Sequence, residues 1–253
     1  MNIYLESLLI IAAINLLFFI IAFTLKTDIV TDLSYTLSFI LLSIYLLIVH
    51  AHLNTISLII FFGVVLWALR LGGYLLTRIL QIKVDHRFDD KRDSFLKFGA
   101  FWLLQTFTVS IVMLPEIFLL SHKSETIYPL ALTAGLILWV AGFIIEAAAD
   151  AQKTAFKKVH PKRLITTGLW KYSRHPNYFG EMLVWWGLAL VILPYLKGLS
   201  YLVLLGPVFI TLLLLFVSGI PLLEKSWKER YGNESYYQEY IRKTPLLIPR
   251  RIK

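Results

Sequence analysis

Seven stretches of this chain are apolar for long enough to cross a bilayer, and few folds are open to such a chain. They run over residues 5–25, 33–53, 56–80, 95–120, 127–149, 178–196 and 199–223. A helix needs about 20 mostly apolar residues to span the hydrocarbon core, and each stretch meets that length. The expectation is an all-α, polytopic membrane protein in a single integral membrane domain over residues 1–253. The first stretch has neither a basic leading region nor a small-residue cleavage site, so it reads as a retained helix and not a signal peptide. The short connection at 197–200 leaves room for a broken or re-entrant element. There is no internal repeat or low-complexity tract. With no cysteine in the chain, disulfides and thiolate chemistry are excluded.

A net charge of +9 invites a nucleic-acid partner, but its distribution argues for topology. Lysine and arginine concentrate at 83–97, 153–174 and 225–253, while the loops at 52–56, 121–126 and 197–200 carry almost none. With seven spans, all three basic segments fall on one side. The positive-inside rule makes that side cytoplasmic, with the N-terminus outside and the C-terminus inside. Topology together with attraction to anionic headgroups accounts for most of the charge.

Topology does not explain polar residues within the spans. Glu146 and Asp150 lie four apart near the inner end of the fifth span, on one helical face that Lys153 and Lys157 continue. A carboxylate at that depth is costly without a partner. Arg70 also lies deep and needs a carboxylate or carbonyl. Gln105, His50, His52 and Glu116 are weaker signals. Glu116 follows Pro115, where an opened helix would let water reach it, and the two histidines fit an outer interface.

The densest chemistry lies at 168–187, GLWKYSRHPNYFGEMLVWWG. Arg174, His175, Asn177 and Glu181 cluster where Pro176 punctuates the chain and a helix begins; Asn177 and Glu181 share a face. No HExxH, GxSxG, GxxxxGK[ST] or GxGxxG pattern occurs. A nucleotide would therefore be held by helix ends and basic loops. Lys157, Lys158, Lys162, Arg163, Lys171 and Arg174 are available for phosphates, and Trp170 and Tyr172 as stacking surfaces. Asp150 and Glu181 can accept hydrogen bonds from ribose or carboxamide groups.

Four pieces in order, GFIIEAAADAQKTAF, GLWKYSRHPNYFGEMLVWWG, SGIPLLEKSW and YYQEYIRKTPLLIP, give residues 139–249 a resemblance to the C-terminal domain of the steroid 5α-reductase superfamily. The resemblance is greatest to bacterial membrane proteins of that superfamily, which implies the bacterial inner membrane. Sterol reductases carry a similar RHPNY, and isoprenylcysteine and phospholipid methyltransferases a looser RHPxY. The resemblance implies a helical bundle open to the cytoplasm, NADPH among the later helices and a lipidic enone entering from the bilayer. It places the family's cofactor-binding aspartate on Asp150, the asparagine and glutamate of N-F-x-G-E on Asn177 and Glu181, and a following basic residue on Lys157. Glu224 and Tyr231 match the sterol reductases' acidic residue and the tyrosine after it. Arg163 and Arg174 of the basic loop, with His175 and Tyr178 of RHPNY, complete the candidate cofactor set. One departure is plain: the reductases' proton-donating tyrosine lies three residues before an arginine, and Trp67 stands three before Arg70 here. Their carbonyl-gripping glutamine–glutamate pair has no counterpart beyond Asp32.

The expected function is NADPH-dependent reduction of a carbon–carbon double bond in a lipophilic, steroid- or isoprenoid-like substrate. Hydride addition to an enone builds charge on its oxygen, which needs a donor; Asp32 and Glu116 are the candidate acids, and no metal is expected. The alternatives are an S-adenosylmethionine-dependent methyltransferase of a lipid or prenylated substrate and a non-enzymatic lipid-binding protein. Two features disfavour the methyltransferase: Asn177 follows His-Pro as in the reductases, and LLEKSW has one glutamate where prenylcysteine methyltransferases carry an adjacent pair.

Overall fold

A computed structural model of the protein describes residues 2–82, 88–123 and 126–250. Residues 83–87 and 251–253 of the basic segments, and 124–125 of the outer loop, lie outside the described residues. The described residues are helical, without strands, and seven helices are long and apolar enough to cross a membrane. The chain divides into two compact units: Met1–Tyr128 with Tyr195–Gly206, and Pro129–Pro194 with Pro207–Lys253.

The first unit contains α1 (Ile3–Thr24), α2 (Ile29–Val49), α3 (Thr55–Ile82), α4 (Phe95–Val112) and α5 (Leu114–Ser121). Phe19, Ala22, Phe88, Phe98 and Trp102 form a buried aromatic cluster there. Without water in hydrocarbon, polar side chains must find each other. The Asn15 amide donates to the Ile11 carbonyl at 3.0 Å and to Ser38 Oγ at 3.1 Å. Gln105 donates to Asn15 Oδ1 at 2.7 Å and to Ser34 Oγ at 2.8 Å, which ties α1, α2 and α4 together. Gln105 is thus a structural tie. Towards the start of α1, Glu6 accepts from Tyr45 at 3.0 Å and lies 2.7 Å from His50 Nε2, so His50 has a carboxylate partner.

The fourth span differs from expectation. Its helix breaks at Met113, because Pro115 has no N–H to return to the Ile111 carbonyl. Gly206 fits against the break: a Cβ there would lie 2.9 Å from the Ile111 oxygen. The 197–200 connection does hide irregular structure, with 3₁₀ turns at Leu193–Tyr195 and Gly198–Leu204. Beyond them come α8 (Leu205–Leu212) and a π turn at Leu213–Val217.

In the second unit α6 (Pro129–Val159) and α7 (Pro176–Ile192) form an antiparallel hairpin. Glycines let their backbones touch. A Cβ on Gly142 would lie 2.6 Å from the Gly180 oxygen, and one on Gly187 2.6 Å from the Trp139 nitrogen. With 31 residues, α6 is about 46 Å long. The expected span ended at 149; the helix instead continues well past it and carries Asp150, Lys153 and Lys157 on the same rod. α9 (Ile220–Tyr231) and α10 (Ser235–Lys243) follow. Trp227, Tyr231, Tyr237 and Tyr240 pack with Ala149, Leu164, Ile165 and Trp170 into a core of the kind soluble proteins have.

Candidate functional site

The candidate site is built on the link between α6 and α7. The loop that follows α6 turns at Gly168, whose φ of +63° admits glycine most readily. The Gln152 carboxamide oxygen occupies the space a Cβ would take and accepts the Leu169 N–H at 2.8 Å. Trp170 then folds inward, fully buried, its indole N–H donating to the Ala149 carbonyl at 3.0 Å. Trp170 is therefore not the stacking surface expected from the sequence: it anchors the loop, and Lys153 lies over its ring at 5.3 Å. Tyr172 stays exposed.

At the start of α7, Glu224 of α9 holds two side chains. Arg174 Nη1 donates to one of its oxygens at 2.6 Å, and His175 Nε2 meets the other at 2.8 Å. His175 is fully buried and stacks between Tyr178 and Trp227, at centroid distances of 5.7 and 4.9 Å with planes 9° and 5° from parallel. Burial lowers the histidine's pKa, and the Glu224 hydrogen bond opposes that shift without reversing it. An ionised carboxylate only accepts, so Nε2 carries the proton and Nδ1 is left as an acceptor.

In the first turn of α7, Asn177 Nδ2 donates to Asp150 Oδ1 at 3.3 Å across the helix pair. Asp150, Glu146 and Glu181 are all buried, and the Glu146 backbone is where α6 touches Gly180. Among the described residues, His175 Nδ1, Arg174 Nε and Asn177 Oδ1 are shut off from solvent without a hydrogen-bond partner. They supply both acceptor and donor capacity.

The other sequence candidates divide clearly. Lys157 closes the end of α6, donating to the carbonyls of Pro161 at 3.2 Å and Arg163 at 2.8 Å and to the Tyr231 hydroxyl at 3.3 Å. Lys157 and Tyr231 thus brace each other. Arg163 lies over the Tyr236 ring at 5.4 Å. Lys158, Lys162 and Lys171 are exposed.

In the first unit, Glu116 is not solvated by the helix break; it is buried. Ser43 Oγ lies 2.8 Å from the Phe39 carbonyl and 3.0 Å from Glu116 Oε2. One hydroxyl hydrogen cannot serve both acceptors. A protonated Glu116 donating from Oε2 to Ser43 removes that conflict, while its Oε1 is buried without a hydrogen-bond partner. Asp32 faces the Arg78 guanidinium at 4.0 Å, which is an ion-pair partner and not the surroundings of a neutral acid. Trp67 is buried against Phe39. Among the described residues, no group of three metal-ligating side chains comes together.

Sequence reading missed Trp227, Gln152 and the glycine seam. The only visible signals were the seven-residue spacings of Gly135 with Gly142 and of Gly180 with Gly187. Fold and site together define a polytopic, all-helical membrane protein. The chain belongs to the family described as Protein of unknown function (DUF1295), whose family model matches residues 18–244. No solved structure matches it.

Proposed function

We propose that this protein is an NADPH-dependent membrane reductase of a carbon–carbon double bond in a lipophilic, enone-type substrate of steroid or isoprenoid character. The observation that carries the reading is the Asn177–Asp150 pair across the α6–α7 seam, with buried Glu181 one turn further along α7. These are the three positions that the resemblance to the steroid 5α-reductases marks for cofactor. The residues present fit such a group. Asn177 Oδ1 is an unspent buried acceptor, Asp150 and Glu181 accept from hydroxyl or amide donors, and exposed Lys158, Lys162 and Lys171 suit phosphates.

In this reading Asp150, Asn177 and Glu181 orient the cofactor, while Arg174 and His175, held by Glu224, shape the loop beside it. When bound, NADPH supplies the hydride. Of the two acids expected from the sequence, Glu116 has the hydrogen-bond pattern of a neutral carboxyl, whereas Asp32 faces Arg78. The three basic segments face the cytoplasm, the N-terminus lies outside and the C-terminus inside, in a bacterial inner membrane.

The test is thermal melting of detergent-purified protein with NADPH, since a ligand that binds the native state must stabilise it. Glu181→Gln should fold and bind NADPH about tenfold or more weakly, the loss of one charge-assisted hydrogen bond. A mutant that melts lower yet keeps the full NADPH response would make Glu181 a helix-start brace and remove it from the site. A shift with S-adenosylmethionine alone would move the protein to the methyltransferases, and no shift with either would favour lipid binding.

A further inference from the structure

We infer that the last described residues, 244–250, form a strap that sets the conformation of the site loop, with Pro245, Leu247 and Arg250 as positioning residues for Arg174 and His175. The contacts fall on successive loop residues. Thr244 Oγ1 donates to the Lys171 carbonyl at 3.3 Å, the Arg250 N–H to the Tyr172 carbonyl at 3.1 Å, and the Arg174 N–H to the Pro245 carbonyl at 2.9 Å. Ser173 Oγ donates to the Leu247 carbonyl at 2.6 Å and also accepts the His175 N–H at 3.2 Å. One residue earlier, the Tyr240 hydroxyl donates to the Trp170 carbonyl at 2.7 Å.

The stretch that presents Arg174 and His175 therefore takes much of its backbone pairing from the chain's end. Unpaired buried backbone groups are costly, so the loop is specified only while the strap is in place. Pro245 and Pro249 suit this task, because fixed φ angles leave less freedom to lose on docking. Glu224 grips the same two residues by their side chains, so backbone and side chains are clamped from different elements. The effect on ligand rests on the proposed nucleotide site; the effect on the loop does not.

The experiment ends the chain after Thr244, which leaves α10 and its final turn intact. Trypsin cutting after Lys171 and Arg174 is followed by mass spectrometry in detergent, and the dissociation constant for NADPH is measured alongside. Cutting should accelerate at least about fivefold, the factor that one typical hydrogen bond represents. NADPH affinity should fall by a similar factor at unchanged helicity, and a synthetic peptide of residues 245–253 should restore both. Unchanged cutting overturns the strap. Faster cutting with unchanged NADPH affinity overturns the positioning role. If the intact chain does not bind NADPH, the proposed function fails while the cutting result still decides the strap. Should the truncated chain aggregate, Ser173→Ala in the intact chain must raise cutting and Ser173→Thr must restore it; the strap falls if Ser173→Ala changes nothing.

Discussion

Gly180→Ala puts a methyl group where the structure has none to spare. A Cβ at Gly180 would lie 2.6 Å from the Glu146 nitrogen and from the Gly142 oxygen, and 2.8 Å from Glu146 Cβ. Ordinary contact begins near about 3.5 Å, so α6 and α7 must separate by most of an ångström. Two of the three opposing atoms are backbone, and no rotamer change relieves them. Overpacking costs about 1–3 kcal/mol, and the helix propensity of alanine returns about 1 kcal/mol. The net loss should be about 0–2 kcal/mol, which for a chain of this size is at most about 8 °C in melting temperature. Separation should act further, because the Asn177–Asp150 bond is already 3.3 Å long and does not survive it. NADPH-induced stabilisation should therefore shrink more than the melting temperature alone implies. Gly73→Ala is the control: nothing lies within 4 Å of a Cβ there, and the substitution should be neutral or stabilising. A Gly180→Ala protein that melts with the wild type and answers NADPH in full would refute the close-packed seam as the support of the site.

Two further outcomes are expected. Because burial depresses the His175 pKa, the unfolded chain binds more protons between that depressed value and about 6.5. Stability should be full above that window, fall as pH drops through it and level off below. The difference between wild type and His175→Phe in melting against pH measures this, and parallel profiles would refute it. Topology is open to cysteine labelling, since the chain has no cysteine to remove. A cysteine at Lys162 should resist an impermeant reagent in intact cells, and its labelling there would overturn the orientation.

The membrane architecture was legible because hydrocarbon imposes one length on every crossing helix and leaves apolar runs as its trace. The break at Met113 was announced by Pro115, yet the fate of Glu116 was not. Proline tells that a helix opens, while only tertiary packing places Ser43 beside the carboxyl. Trp170 misled for a related reason. Loop aromatics are usually exposed, and nothing local reveals that the indole N–H will meet the Ala149 carbonyl. Asp150 and Asn177 were grouped through family resemblance, since neither lies within a helical turn of the other. Trp227 and Leu247 carry no chemical signature at all: a ring to stack on and a carbonyl to accept become visible only when chain-distant segments meet.

The division of the chain bears on its biosynthesis. The first unit is completed by Tyr195–Gly206, yet the 66 residues Pro129–Pro194 intervene. At about 5–20 residues per second, the ribosome needs about 3–13 s to make that stretch. For that interval α1–α5 must wait in the bilayer with the carbonyls of the Met113 break lacking Gly206, while the α6–α7 hairpin is already emerging. Assembly cannot be strictly vectorial, and ending translation at residue 128 would strand the first unit in its waiting state.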